Sequence, residues 1–297
     1  MFTRLTFFVW LILTFIWGST WLAIKLGLQD LPPFTFSGVR FVVAVLPLLV
    51  AVALRRHTIP RKASEWRLIA KTALLTFSIN YGLIFWGENY ISSGLTAILY
   101  TALPLFGLVL AHFHLPEESI TWRKIVGVVL GIVGVGIIFS NQVSLDDSSA
   151  AWGCLAVVVA ACVTAYSGLL IKTQARHIDP IALTTGQMLV GMVPLLLVGA
   201  IFEGNPLSFT WGMTSWLAIL YLAFVGSSLT FILLYWLIKR IDLTKVQLIP
   251  ISSTLVAVLL GRWVLGEEMS VRTLIGGASI MIGLLITTLK SRALMRG

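Results

Sequence analysis

The side chains best suited to hold a ligand are few, and they interrupt otherwise apolar stretches. Trp17 and Trp21 stand four residues apart, so a helix puts them on one face with Thr14, and Gly18, Ser19 and Thr20 lie among them. Asn80, Tyr81, Tyr100, Tyr166, Ser227 and Gln247 each fall inside another apolar run. Hydroxyls and amides orient a small molecule through hydrogen bonds, while indole and phenol faces accept apolar surface or a cation. Bonding between helices accounts for any one of these residues taken singly, because lipid offers a polar group no partner. As a set they point to a shared central cavity. Such a cavity suits a zwitterion: neutral donors and helix ends for a carboxylate, Tyr and amide oxygens for an ammonium, aromatic faces for an apolar side chain.

Bond-making chemistry has no comparable set. An enzyme would need paired acids or a histidine cluster at one depth, and no catalytic residue stands out. His57, His112, His114 and His177 all fall on one side of the apolar runs. Cys154 and Cys162 share one run, about 12 Å apart by helical rise and too far to bridge each other. No His/Cys spacing suits a metal, and no Gly-rich Walker sequence is present. The chain is therefore expected to use no metal and no cofactor. Arg40 and Glu88 are the ionisable exceptions. Arg40 is expected to be structural or gating, held by an acceptor such as Glu88 or helix carbonyls, rather than to touch substrate. Lys25, at a run's end, is expected to snorkel. With so few intramembrane acids, facilitated export and proton antiport both stay open.

The elements that position these residues follow from composition. Of 297 residues 58% are apolar and 11% charged, against roughly 25% charged in soluble domains. Apolar runs long enough for a bilayer lie near Phe7 to Gly27, Phe34 to Leu54, Ile69 to Gly87, Leu95 to Phe113 and Ile125 to Ser140. Five more lie near Trp152 to Ile171, Ile181 to Phe202, Trp216 to Ile238, Val246 to Leu265 and Leu274 to Leu289. The fold class is an all-α integral membrane protein with ten transmembrane helices. With the N-terminus inside, 17 of the 21 Lys and Arg fall on the cytoplasmic side, which puts both termini there. Basic loops facing anionic lipid explain the +9 balance, so nucleic acid is not a partner. The first run is too long for a signal peptide and has no small-residue cleavage site. Nine tryptophans sit at run ends as interfacial anchors, leaving Trp17 and Trp21 inside.

A shift of 147 positions places Lys25 on Lys172, Pro33 on Pro180 and Pro47 on Pro194. A shift of 146 places Pro104 on Pro250, and one of 149 places Gly127 on Gly276 and Gly134 on Gly283. The chain divides into residues 1–141, a periplasmic linker 142–151, and residues 152–297. Five spans per half is odd, so the second half enters the membrane inverted, the architecture of alternating-access carriers. Pro47, Pro104, Pro194 and Pro250 would interrupt helices at matched places, either as static kinks or as pivots. The glycines of spans five and ten would let those helices pack closely, within one chain or across a dimer. A monomer is expected, with a dimer left open.

Trp17-Gly18-Ser19 with Lys25, then Pro33, Arg40-Phe41, Pro104 and Glu118 before Gly127, resemble the first half of the EamA family of the drug/metabolite transporter superfamily. Pro180, Pro250, Leu265-Gly266-Glu267 and Gly276 resemble its second half. The chain departs from the pattern at Leu115-Pro116-Glu117-Glu118, and Gln187 stands where the first half has Arg40. Within the family the chain looks most like the YddG-type amino-acid exporters. The resemblance implies a bacterial inner-membrane carrier, with membrane lipid and a small-molecule substrate as partners. Amino acids, aromatic or apolar ones included, are the expected cargo; a multidrug or other metabolite carrier, a channel and a membrane-embedded enzyme are the competing classes.

Overall fold

In a computed structural model of the chain, residues 3–54, 59–114, 121–143, 148–238, 240–241 and 249–288 are described, and among them all regular structure is helical. The first seven helices are α1 Arg4–Gly27, α2 Pro33–Leu54, α3 Ala63–Tyr90, α4 Ser93–His114, α5 Trp122–Val143, α6 Ser148–Gln174 and α7 Pro180–Phe202. Each is long and apolar enough to cross a membrane. The later apolar helices are shorter over their fully described stretches. Here α8 runs from Met213–Leu220 through Tyr221–Leu229 into Thr230–Ile238, α9 spans Ile249–Leu265 and α10 spans Val271–Thr288.

Three features were not apparent from hydropathy. First, α3 starts at Ala63, ahead of the apolar run at Ile69, because the Glu65 carboxylate accepts the Arg61 and Lys62 N–H groups, both at 3.0 Å. Second, α4 breaks at Thr101 and Ala102 before resuming at Leu103. Third, α3 and α8 each contain a π-helical stretch, Leu74–Asn80 and Tyr221–Leu229, starting 147 positions apart.

The four prolines fall in two kinds of setting. Pro47 and Pro194 lie inside α2 and α7, where a missing N–H loosens the ladder. Pro104 follows the break of α4 at Thr101 and Ala102, where its missing N–H leaves the Tyr100 carbonyl without a donor from position 104, and Pro250 is the second residue of α9 as described.

The principal packing pairs α5 with α10, α3 with α6, α2 with α7, and α1 with both α9 and α8, and α4 also packs on α6. In addition, α2 packs on the π stretch of α8, and α7 on that of α3. Exchanging every helix for its counterpart five places away leaves this pattern unchanged. The α5–α10 contact is a backbone approach: a Cβ on Gly127 would stand 2.6 Å from the Gly283 carbonyl, and one on Gly134 2.4 Å from that of Gly276. These glycine faces are thus used within the chain.

The start of α1, the α2–α3 connection with Arg61 and Lys62, and Lys172 and Arg176 mark one end, called here the basic end. The opposite end is held by charged side chains bridging helix termini. Glu203, after α7, accepts the Phe34 and Thr35 N–H groups at 2.8 Å and the Thr35 hydroxyl at 2.7 Å, capping α2. Glu267, after α9, accepts the Ser93 N–H at 2.8 Å, the Gly94 N–H at 3.1 Å and the Ser93 hydroxyl at 3.0 Å, capping α4. Both glutamates adjoin a glycine in the left-handed region, Gly204 (φ 98°) and Gly266 (φ 66°), which turns the chain out of the preceding helix.

Candidate functional site

A cavity of about 350 Å³ lies between the helices, near the small end of the roughly 300–1,000 Å³ range for ligand pockets. Its aromatic wall is Trp17 and Trp21 from α1, Tyr81 from α3 and Tyr100 from α4. Trp21 and Tyr100 meet edge to face with ring centroids 5.5 Å apart. Its small polar wall is Thr20 from α1, Thr101 from α4, Thr164 from α6, and Ser253 and Thr254 from α9. Arg40 from α2 is the charged liner, and Pro104 and Pro250 also border the cavity.

Several sequence candidates stand behind this wall and orient it. Asn80, 1% exposed, accepts the Tyr100 hydroxyl at 3.0 Å on Oδ1 and donates to the Thr76 carbonyl at 3.1 Å. Ser19 Oγ and the Tyr221 hydroxyl are 2.6 Å apart, tying α1 to α8. Ser227 donates to the Leu222 carbonyl five residues back, at 2.9 Å, and accepts from Arg40 Nη2 at 3.2 Å. The π geometry of this stretch brings that carbonyl into reach of the hydroxyl.

Other candidates do not converge on the cavity. Tyr166 faces the basic end, with the Lys71 ammonium 5.7 Å from its ring and His114 stacked edge-on. Gln247 lies outside the described residues. Pro47 and Pro194 stand away from the cavity, yet Ser228 donates to the Ala44 carbonyl at 3.3 Å and Ser78 to the Gly191 carbonyl at 2.7 Å. Both carbonyls are three residues before the helix proline, and both donors lie on a π stretch of the other half.

Two charged residues differ from their sequence reading. Arg40 is not held by Glu88: it is 2% exposed, enclosed by the rings of Tyr81 (5.0 Å), Phe41 (5.3 Å) and Phe85 (5.9 Å), with Ser227 as its hydrogen-bond acceptor. Lys25 does not snorkel. Its ammonium donates to the Glu88 carbonyl at 2.6 Å and the Ile91 carbonyl at 2.8 Å, closing the end of α3. The Glu88 carboxylate is fully buried, with both oxygens lacking a hydrogen-bond partner in the structure.

Sequence reading missed Thr101, Thr164, Gly226 and the Ser253–Thr254 pair as liners. Their only signal is small polar residues inside apolar runs, which also describes ordinary helix packing. A second cavity of about 490 Å³ shares Leu103, Pro104, Thr164 and Pro250 with the first and reaches Gly168 and Lys172. The second cavity adjoins the first on the side of Lys172. Among the described residues no cluster of metal-binding side chains occurs.

Comparison with known proteins places this architecture. The EamA-like transporter family matches twice, over residues 4–140 and 151–289. The transporter YoaV of Bacillus subtilis (strain 168) is 29% identical, covering 93% of this chain and 94% of its own. The inner membrane transporter YedA of Escherichia coli (strain K12) is 28% identical over 86% of this chain and 81% of its own. A solved crystal structure at 18% identity aligns over 97% of this chain and 98% of that one with a TM-score of 0.65, which establishes the likeness of fold. With both halves matched, the chain belongs to the EamA-like transporter family and is a multi-pass membrane transporter.

Proposed function

We propose that this transporter is an inner-membrane carrier that exports small amphipathic metabolites, amino acids foremost, by alternating access. The observation that carries the reading is the cavity where α1, α4, α6 and α9 meet, aromatic on one wall and hydroxylic on the other. A cavity of about 350 Å³ suits a molecule of amino-acid size better than a bulky drug.

Ten membrane spans in two inverted halves, 1–141 and 152–297 around the linker 142–151, with both termini cytoplasmic, are part of the same reading. The two family matches, the exchange-invariant packing and the paired π stretches support it. Under the positive-inside rule the basic end faces the cytoplasm. The adjoining cavity that reaches Lys172 would then admit substrate from inside, with the end held by Glu203, Glu267 and Lys25 as the closed outer gate. The Ser228–Ala44 and Ser78–Gly191 contacts are where the proline helices would pivot. A monomer contains the whole cavity.

The test is counterflow of labelled phenylalanine in proteoliposomes containing the full chain, competed by a panel of amino acids, with and without a pH gradient. Saturable counterflow supports the carrier and excludes a channel. No movement or competition by any amino acid overturns the substrate assignment. Exchange that needs no gradient argues against obligatory proton coupling. Trp21→Ala and Tyr100→Phe should alter substrate preference at unchanged expression; if both transport as wild type, the cavity is not the site.

A further inference from the structure

The cavity places a buried cation beside a ligand-sized space without an anion to meet it. Arg40 is 2% exposed and lines the cavity, and its described hydrogen-bond acceptor is the neutral Ser227 hydroxyl, at 3.2 Å from Nη2. Nε and Nη1 are buried with no partner in the structure. The rings of Tyr81, Phe41 and Phe85 stabilise the positive charge. The Tyr81 side chain is also a hydrogen-bonding neighbour of the guanidinium, but Nε and Nη1 keep no acceptor, and a buried charged donor without one is strongly disfavoured.

Resting on the carrier reading above, we infer that Arg40 is the carboxylate anchor of the transport site, so that the substrate class is a small carboxylic acid, with or without an amino group. A guanidinium binds a carboxylate through two parallel N–H groups on one edge. Nη2 contributes to two such edges, one shared with Nε and one with Nη1. Whichever Nη2 hydrogen Ser227 accepts, the other edge keeps a complete pair of donors. Ser227, itself fixed by donating to the Leu222 carbonyl, therefore sets which edge meets the ligand. The Trp21 and Tyr100 rings then take the rest of the molecule. This role differs from the structural one expected from the depth of Arg40 in its helix.

The experiment measures binding of three probes of equal skeleton to the purified full-length protein in detergent: phenylalanine, 3-phenylpropionate and 2-phenylethylamine. For the wild type, removing the carboxylate (phenylethylamine) should weaken binding about tenfold to a hundredfold, the scale of a hydrogen bond to a charged group, and removing the amine should weaken it less. Arg40→Gln should reduce affinity for the two acids by a similar factor and leave the amine unchanged, with Arg40→Lys restoring part of the loss. The wild-type series tests the idea even where a variant folds poorly. Phenylethylamine binding as tightly as phenylalanine would overturn the inference while the carrier reading stands. If none of the three binds, both fail.

Discussion

The two ends of the bundle are built on different principles. At the capped end, charged groups bridge helix termini far apart in sequence: Glu203 to α2, Glu267 to α4, Lys25 to α3, and Asp30 to Ser215 at 2.6 Å. Each satisfies backbone or hydroxyl groups that would otherwise be stranded near lipid. At the basic end, Glu65 receives the exposed His177 imidazole at 3.2 Å, and a second cavity reaches Lys172. Charge at one end closes helix ends within the protein; at the other, the His177 imidazole stays exposed. In the alternating-access carrier proposed above, this inequality would make the capped end a gate, a set of contacts strong enough to hold and few enough to exchange.

The comparison can be broken most severely at the caps. Replacing Glu203 and Glu267 together by Gln removes both carboxylates from two helix N-termini, and each loss should cost about 2 kcal/mol, read as a lowered thermal midpoint in detergent. If the double variant unfolds as wild type, the capped end is not the stronger one. Gly261→Ala is the indirect version: its Cβ would crowd the Glu267 carboxylate, so it should cost about 1–3 kcal/mol and not add to Glu267→Gln. A cysteine at Gly168, where a Cβ meets nothing within 4 Å, should react with a membrane-impermeant maleimide from the basic side in a background lacking Cys154 and Cys162. One at Gly94, crowded by Met269 and Val258, should stay unlabelled. The smallest effect belongs to His177→Ala. It removes one exposed contact, and a clear fall in thermal midpoint would show that the basic end is also held by charge.

Much of the aromatic site could be read from the chain alone. Trp17, Trp21, Tyr81 and Tyr100 stand out because lipid is a uniform solvent, against which a mid-span polar or indole group is locally conspicuous. Tyr166 met the same criterion and went elsewhere, because depth within a span says nothing about rotation around the helix. Lys25 was misread for a related reason. Snorkelling is the default for a lysine at a span end, but two free carbonyls at the end of α3 lay within reach.

The sequence determined the membrane class, the duplication and the family, since each depends on composition or on a repeat visible along one dimension. Tertiary structure decided the partners: that Arg40 meets Ser227 rather than Glu88, that two glutamates cap helices of the other half, and that the π stretches aim their hydroxyls at proline helices. The reason is that hydropathy reports each residue's affinity for its solvent, whereas a hydrogen bond between helices requires two side chains to converge within about 3 Å. Only packing sets that distance.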